Sequence, residues 1–272
     1  MKHNLSHATF IIPIRIESVD RLRNIITVVA FLLDNFDTNI VIKEVDEESV
    51  FKKEGLPILK EILDFNFNIN HIFEKNNSPI FHRQKIINEM IIESKTKIIV
   101  NYDCDVILPI NSYITAYELI LNSESDVVYP YGQGTYQKQV FAADQIVSNF
   151  LETGNYSYLD NNSRPYLSDF GWVQFFDRDV YIEAGMENEN FIAYAPEDKE
   201  RFYRFTTLGY NVERIDNFVY HLEHSRGHNS WVNNPYMQNN NDLWDKIQKM
   251  SKEQLKEYYL NQEYIKKYNG KK

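Results

Sequence analysis

The sequence predicts an α/β domain with a mostly parallel central sheet, and three observations carry that prediction. Short β-branched runs alternate with longer segments of helical period up to residue 102. The composition, 43% hydrophobic and 25% charged over 272 residues, is that of a globular chain able to bury a full core. Charged residues collect at the ends of two strand-like runs, where parallel sheets hold their ligands.

The elements follow in order. ATFIIPI (8–14) is a strand ending at Pro13-Ile14-Arg15. Residues 18–34 form a helix whose apolar run IITVVAFLL (25–33) lies between Arg21/Arg23 and Asp34. That run is far short of the ~20 residues that span a bilayer, so it reads as a core helix. TNIVIKEV (38–45) is a strand, 55–64 a helix, INHIF (69–73) a strand, 82–93 a helix, and KIIVNY (97–102) a strand that runs into Asp103-Cys104-Asp105. Beyond residue 110 the pattern loosens. The Gly-x-Gly at 132–134 lacks a further glycine and a P-loop lysine-serine, so it carries little weight as a phosphate cradle. The stretch LETGNYSYLDNNSRP (151–165) reads as a long aromatic loop that either shapes a site or packs on its own tyrosines.

The main domain is assigned to 1–235 and a helical tail to 236–272, opened by the polar run QNNN at 238–241. In the tail, Ser251 and Gln254 form a capping box, and Leu255, Tyr258 and Tyr259 share an apolar face. From Leu243 onward there are eight lysines against four acids. A basic aromatic helix of this kind lies on an anionic membrane, pairs with a partner or packs on its own domain, and all three stay open.

A net charge of -10 argues against a nucleic-acid partner, because such binding needs Lys and Arg to neutralise phosphates. The single cysteine, Cys104, excludes an internal disulfide framework and suits a reducing compartment. No secretory signal is read, so the expectation is a cytoplasmic protein, with peripheral contact to the inner face of the membrane through the tail.

Four stretches carry chemistry together. Asp103-Cys104-Asp105 offers hard carboxylate ligands suited to Mg2+ or Mn2+, although most D-x-D triplets are turns. Asp177-Arg178-Asp179, also after an apolar run, is an internal control on that spacing. HLEHSRGH (221–228) holds three of the seven histidines; His221 and His224 add nitrogen ligands that shift preference toward Mn2+, unless they are only surface residues. In NFIAYAPEDKERFYR (190–204), Glu197, Asp198 and Glu200 open a helix that continues to Leu208 and stops at Gly209. Acids in a first turn usually complement the helix dipole. FHRQKIINEM (81–90) starts a helix with Arg83 and Lys85, either to steer an anion toward the Asp pair or as a solvated basic end.

In the order IIPIR, FHRQKIIN, DCD, FGWV (170–173), Glu197-Asp198 with Arg204 and Gly209, then HLEHSR, residues 8–228 resemble the β-1,4-galactosyltransferase superfamily. They are most similar to bacterial galactosyltransferase-related enzymes that build surface polysaccharides. The resemblance implies a GT-A fold, a Rossmann-like nucleotide-diphospho-sugar domain with a central mostly parallel mixed sheet. It also implies that Asp103 contacts the donor ribose or sugar, that Asp105, His221 and His224 ligate Mn2+ (or Mg2+), and that Pro13, Arg15 and Arg83 hold the uridine nucleotide. Glu197 and Asp198 take the place of the catalytic pair, with Asp198 as the base. Asp177 matches no motif and reads as a helix N-cap. Where the family carries W-G-W-G-G, this chain has Ile192-Ala193-Tyr194-Ala195-Pro196, which leaves Tyr194 to stack on a sugar face. Where it carries a donor-selecting tyrosine, this chain has Asp169.

The reading is therefore an inverting glycosyltransferase moving a hexose from a UDP-sugar (UDP-galactose, UDP-N-acetylgalactosamine or UDP-glucose) to a glycan or lipid-linked saccharide acceptor. A metal-dependent hydrolase and a non-catalytic glycan- or nucleotide-binding module are the rivals.

Overall fold

The computed structural model describes residues 2–168, 170–227 and 233–269. The alternation resolves into β1 (His3–Ile14), α1 (Val19–Asn35), β2 (Phe36–Asp46), α2 (Leu56–Ile62), β3 (Asn70–Lys75), α3 (Arg83–Glu93) and β4 (Ile98–Tyr102). Every strand and helix expected up to residue 102 is present. β1 starts earlier than its apolar run because His3 and Asn4 already pair with Phe36 and Asp37. α1 is buried along its apolar run, from Ile25 through Leu33, as expected of a core helix. All five residues of β4 are buried, which at ~1.5–3 kcal/mol per large apolar side chain makes this strand a main source of core stability.

The second half contributes β5 (Val106–Ile107), α4 (Ile110–Leu121), β6 (Val127–Tyr129), β7 (Gln137–Val140), α5 (Asp144–Thr153), α6 (Ser157–Asp160) and β8 (Ser163–Pro165). It continues with β9 (Val173–Asp177), α7 (Arg178–Glu183), α8 (Glu197–Leu208), β10 (Val212–Arg214) and β11 (Val219–Leu222). The main sheet has the order β10-β6-β9-β4-β1-β2-β3. Only β9 runs against its neighbours; the other pairings in this sheet are parallel. A second sheet, β5-β11-β7-β8, carries the chain that returns toward β4.

The stretch expected as a loop at 151–165 is partly helical. α5 ends at Gly154, whose φ of +64° caps it, and α6 follows. Tyr156 packs on Phe150 and Tyr220, so the tyrosine-packing alternative is the one this stretch adopts. The Gly-x-Gly serves packing as well: a Cβ on Gly132 would lie 2.2 Å from the Tyr136 ring.

The tail forms α9 (Met237–Ile247), α10 (Lys252–Leu260) and α11 (Glu263–Asn269). The capping box is made, with Ser251 N–H donating to Gln254 Oε1 at 2.9 Å and Gln254 N–H to Ser251 Oγ at 3.3 Å. Leu255 and Tyr259 are buried with Ile247 against Phe191, so the main domain covers much of the tail's apolar face. The polar run is helical because Asn240 is buried and pairs with both backbone groups of Ile192. No helix among the described residues is long and apolar enough to cross a membrane.

Candidate active site

β1 has β2 on one side and β4 on the other, which is the arrangement at which open α/β sheets take ligands beyond their strand ends. One crevice opens there. Its wall includes Pro13, Arg15, Arg83, Asp103, Asp105, Glu197, Asp198, His221 and His224, so the structure brings all nine residues together.

Asp105 sits in the turn between β4 and β5. β5 pairs antiparallel with β11, which sets His221 opposite Val106, and Leu222 N–H donates to the Asp105 carbonyl at 2.7 Å. The chain beyond β11 is then tied to the start of α1. Ser225 N–H donates to Asp20 Oδ2 at 2.5 Å, its hydroxyl donates to Oδ1 at 3.2 Å, and the Asn24 amide donates to the Leu222 carbonyl at 3.0 Å. His224 Nε2 consequently lies 3.1 Å from Asp105 Oδ2 and His221 Nε2 3.7 Å from Oδ1, with the three ligand atoms within 4.8 Å of one another.

The donor chemistry fits a divalent cation. Burial works to raise the Asp105 pKa, but His221 and His224 outweigh it and hold the carboxyl below the usual range. Burial pushes His221 down to about 4, leaving a neutral ring able to ligate. Burial also works to lower the His224 pKa, but the hydrogen bond to Asp105 raises it overall. His224 Nδ1 is 2.7 Å from the Ser225 carbonyl, and a carbonyl only accepts, so Nδ1 carries the proton. In the neutral ring Nε2 then turns a lone pair toward a carboxylate oxygen, an arrangement that a cation relieves. One carboxylate and two imidazoles suit Mn2+ better than Mg2+. Tyr166 stacks on His221 at 5.7 Å and 8°.

The basic residues divide. Arg15 donates through Nε to the Val45 carbonyl at 3.0 Å and through Nη1 to that of Ser78 at 2.9 Å, while its buried Nη2 has no hydrogen-bond partner among the described residues. Arg83, the first residue of α3, donates to Asp103 Oδ1 at 2.5 Å and to Asn101 Oδ1 at 3.3 Å. Burial pushes Asp103 up to about 6 even against this arginine. Lys85 does not line the crevice and pairs with Glu89 at 4.0 Å, so the solvated alternative describes it.

The acids of α8 divide too. Glu200 points away from the crevice and pairs with Arg204 at 2.9 Å. Glu197 is buried, its Oε2 has no hydrogen-bond partner among the described residues, and burial, reinforced by Asp198, pushes its pKa up to about 8. Asp198 is 31% exposed; its Oδ1 is 2.9 Å from Arg201 Nη2, and its Oδ2 lies so close to Gly171 that a Cβ there would sit 3.1 Å away. Just before α8, Ala193 and Ala195 hold φ of +59° and +56°. These alanines keep a glycine-type backbone at a cost of ~1–2 kcal/mol each. Tyr194, between them, is 42% exposed and lines the crevice.

Asp177 caps α7, accepting from Asp179 N–H at 3.0 Å and Val180 N–H at 3.3 Å, as expected. Asp169 and His228 lie outside the described residues. Sequence reasoning missed Asp20 and Tyr166, and also Gln174, Glu187 and Arg201 behind Asp198. None of these stands in a spacing that signals chemistry; their roles come from contacts across the fold.

No protein-family model matches the chain, and no curated protein matches it in sequence. Solved structures do match in fold. A mannosyltransferase from Pyrobaculum calidifontis, in complex with GDP-Man and Mn2+, is similar over 95% of this chain and 69% of its own, with a TM-score of 0.54 and 11% identity. GalNAc-T7 with UDP, GalNAc and Mn2+ is similar over 81% of this chain and 44% of its own, with a TM-score of 0.51 and 13% identity. With its mixed α/β architecture and mostly parallel central sheet, the chain has the GT-A fold of these proteins.

Proposed function

We propose that this chain is an inverting, metal-dependent glycosyltransferase that moves a hexose, galactose first among the candidates, from a UDP-sugar to a hydroxyl of a glycan acceptor in surface polysaccharide biosynthesis. The observation that carries the reading is the meeting, in one crevice, of a carboxylate–imidazole cluster at Asp105, His221 and His224 with a second carboxylate pair at Glu197 and Asp198. Both fold neighbours were solved with a sugar nucleotide or its parts and Mn2+, which supports a donor of that class.

Asp105, His221 and His224 would hold the cation, which when bound neutralises charge on the departing diphosphate. Arg15 brings an unpartnered Nη2 to the nucleotide side, and Arg83 holds Asp103 in place. Of the acidic pair, Asp198 is the base. A base must be ionised to accept a proton, and Glu197, raised to about 8, keeps its own proton at neutral pH. Asp198 has its Oδ1 charge matched by Arg201, leaving Oδ2 for the acceptor hydroxyl. Tyr194 offers its ring to a sugar face beside it.

The test is a thermal-shift panel of UDP-galactose, UDP-N-acetylgalactosamine, UDP-glucose and GDP-mannose, each with and without Mn2+. One UDP-sugar should stabilise the protein only with metal, by about 2.7 kcal/mol at a hundredfold excess over Kd. Stabilisation by GDP-mannose alone would overturn the uridine assignment, and no metal-dependent shift from any donor would overturn the class.

A further inference from the structure

Behind Asp198 lies an arginine that no motif announces. Arg201 is 1% exposed and grips buried Glu187 with both prongs, Nε to Oε1 at 2.7 Å and Nη2 to Oε2 at 2.9 Å. Its Nη1 donates to Gln174 Oε1 at 3.0 Å. Nη2 also pairs with Asp198 Oδ1 at 2.9 Å. Glu187 is fixed in turn by the Tyr181 hydroxyl and by Asn88, whose Oδ1 accepts from Glu187 N–H at 2.8 Å.

The network continues to the other carboxylate of the crevice. Gln174 and Asn101 are paired neighbours on β9 and β4, and the Asn101 amide donates to Gln174 Oε1 at 3.2 Å. Asn101 Oδ1 accepts from Arg83, which holds Asp103. Gln174 also donates to the Gly171 carbonyl at 2.7 Å, which fixes the backbone beneath Asp198 Oδ2. An unbroken chain of side chains thus joins Asp198 to Asp103 through Arg201, Gln174, Asn101 and Arg83. A buried ion pair is a poor way to stabilise a core, since apolar residues of the same volume do as well or better. What a forked guanidinium supplies that they cannot is direction.

We propose that Arg201 is a positioning residue: held from behind by Glu187 and Gln174, it sets the Asp198 carboxylate in fixed relation to Asp103 across β4 and β9. The inference rests on the reading of Asp198 as the base. It concerns placement, so its signature is a loss of kcat without loss of donor binding.

Two variants test it. Arg201→Lys keeps a positive charge opposite Glu187 but has no fork to reach Glu187, Gln174 and Asp198 together. The pair Arg201→Met with Glu187→Gln removes both buried charges at once, so neither is left unpaired. For each, Mn2+-dependent UDP affinity and the turnover of the parent's best donor on a panel of N-acetylhexosamine and hexose acceptors are measured, with Tm recorded alongside. UDP affinity should stay within about threefold of the parent, while kcat falls roughly tenfold in Arg201→Lys and about 10²-fold in the paired variant. If Arg201 serves stability only, Tm drops but kcat per folded molecule stays parental in Arg201→Lys, and that outcome overturns the proposal. Asp198→Asn measured in parallel separates the two claims. Near-parental turnover there sinks the assignment of the base, whereas collapse there with parental Arg201→Lys sinks only the positioning role. A parent inert toward every donor and acceptor would remove both.

Discussion

Asp103-Cys104-Asp105 and Asp177-Arg178-Asp179 share one spacing, and each follows a buried hydrophobic strand, yet they emerge at opposite ends of two neighbouring strands. β4 runs parallel to β1, so its triplet emerges at the strand end that faces the crevice. β9 runs antiparallel to β4, with Asp177 opposite Ile98 and Val173 opposite Tyr102, so its triplet emerges about four residues away along the strand, roughly 13 Å. There Asp177 meets a helix start and caps it. At the other end Asp105 meets the imidazoles that β11 and the following chain deliver. Strand direction, more than residue pattern, decides whether a carboxylate pair reaches the crevice or caps a helix.

The first-turn acids of α8 extend the comparison, since position alone would make them all dipole partners. Asp198→Asn gives the largest expected effect. If Asp198 is the base, transfer falls by ~10² to 10⁴ while UDP and Mn2+ binding persist. If it behaves like Asp177, the change costs at most ~1 kcal/mol of stability and turnover survives. Comparing turnover and donor affinity for the variant and parent decides between them.

Replacing His221 and His224 together by alanine should lower Mn2+ affinity by about 10²-fold or more, because only Asp105 of the cluster remains. It should also abolish the loss of Mn2+ affinity on acidification, which arises when protons compete for ligating imidazoles. Calorimetric titration with Mn2+ at several pH values reads both. Parental affinity in the double variant would return the histidines to surface residues.

Glu197 supplies a pH signature with a defined sign. Its carboxyl is raised from 4.5 to about 8 by burial, so the native state keeps a proton that the unfolded chain releases. Between those values stability falls as pH rises; below 4.5 both states hold the proton and the effect is absent. Glu197→Gln should therefore be more stable than the parent at high pH, by up to about 5 kcal/mol for a carboxyl raised that far, and should match it in acid. Thermal melts across that range check this, and a pH-independent gap would contradict the buried, protonated state. The smallest effect belongs to the cap: Asp177→Ala should cost about 1 kcal/mol in denaturant unfolding, with UDP binding untouched.

Much of this was legible in the sequence. The alternation up to residue 102, the core helix α1 and the capping box at Ser251 all rest on local periodicity or pairwise spacing, and all appear. The nine crevice residues fell in short motifs at strand and helix ends, where backbone topology dictates which of them meet. Less legible were features set by contacts distant in sequence. The 151–165 stretch looked like a loop because its helical turns are short and its tyrosines face inward. In sequence the tail's apolar face suits a membrane as well as a domain; in the fold Phe191 packs against Leu255 and Tyr259. Arg201 stands in no motif, since nothing local reveals Glu187 behind it.

The central claim is that the triplet after β4 binds metal and nucleotide while its counterpart after β9 does not. The most direct measurement is Mn2+-dependent UDP affinity for the parent, Asp105→Asn and Asp177→Asn, each confirmed folded by its melting transition. The account predicts that Asp105→Asn loses metal-dependent binding by about 10²-fold or more with its fold intact, while Asp177→Asn binds as the parent does. Full metal-dependent UDP affinity in Asp105→Asn, or equal losses in both variants, would contradict it.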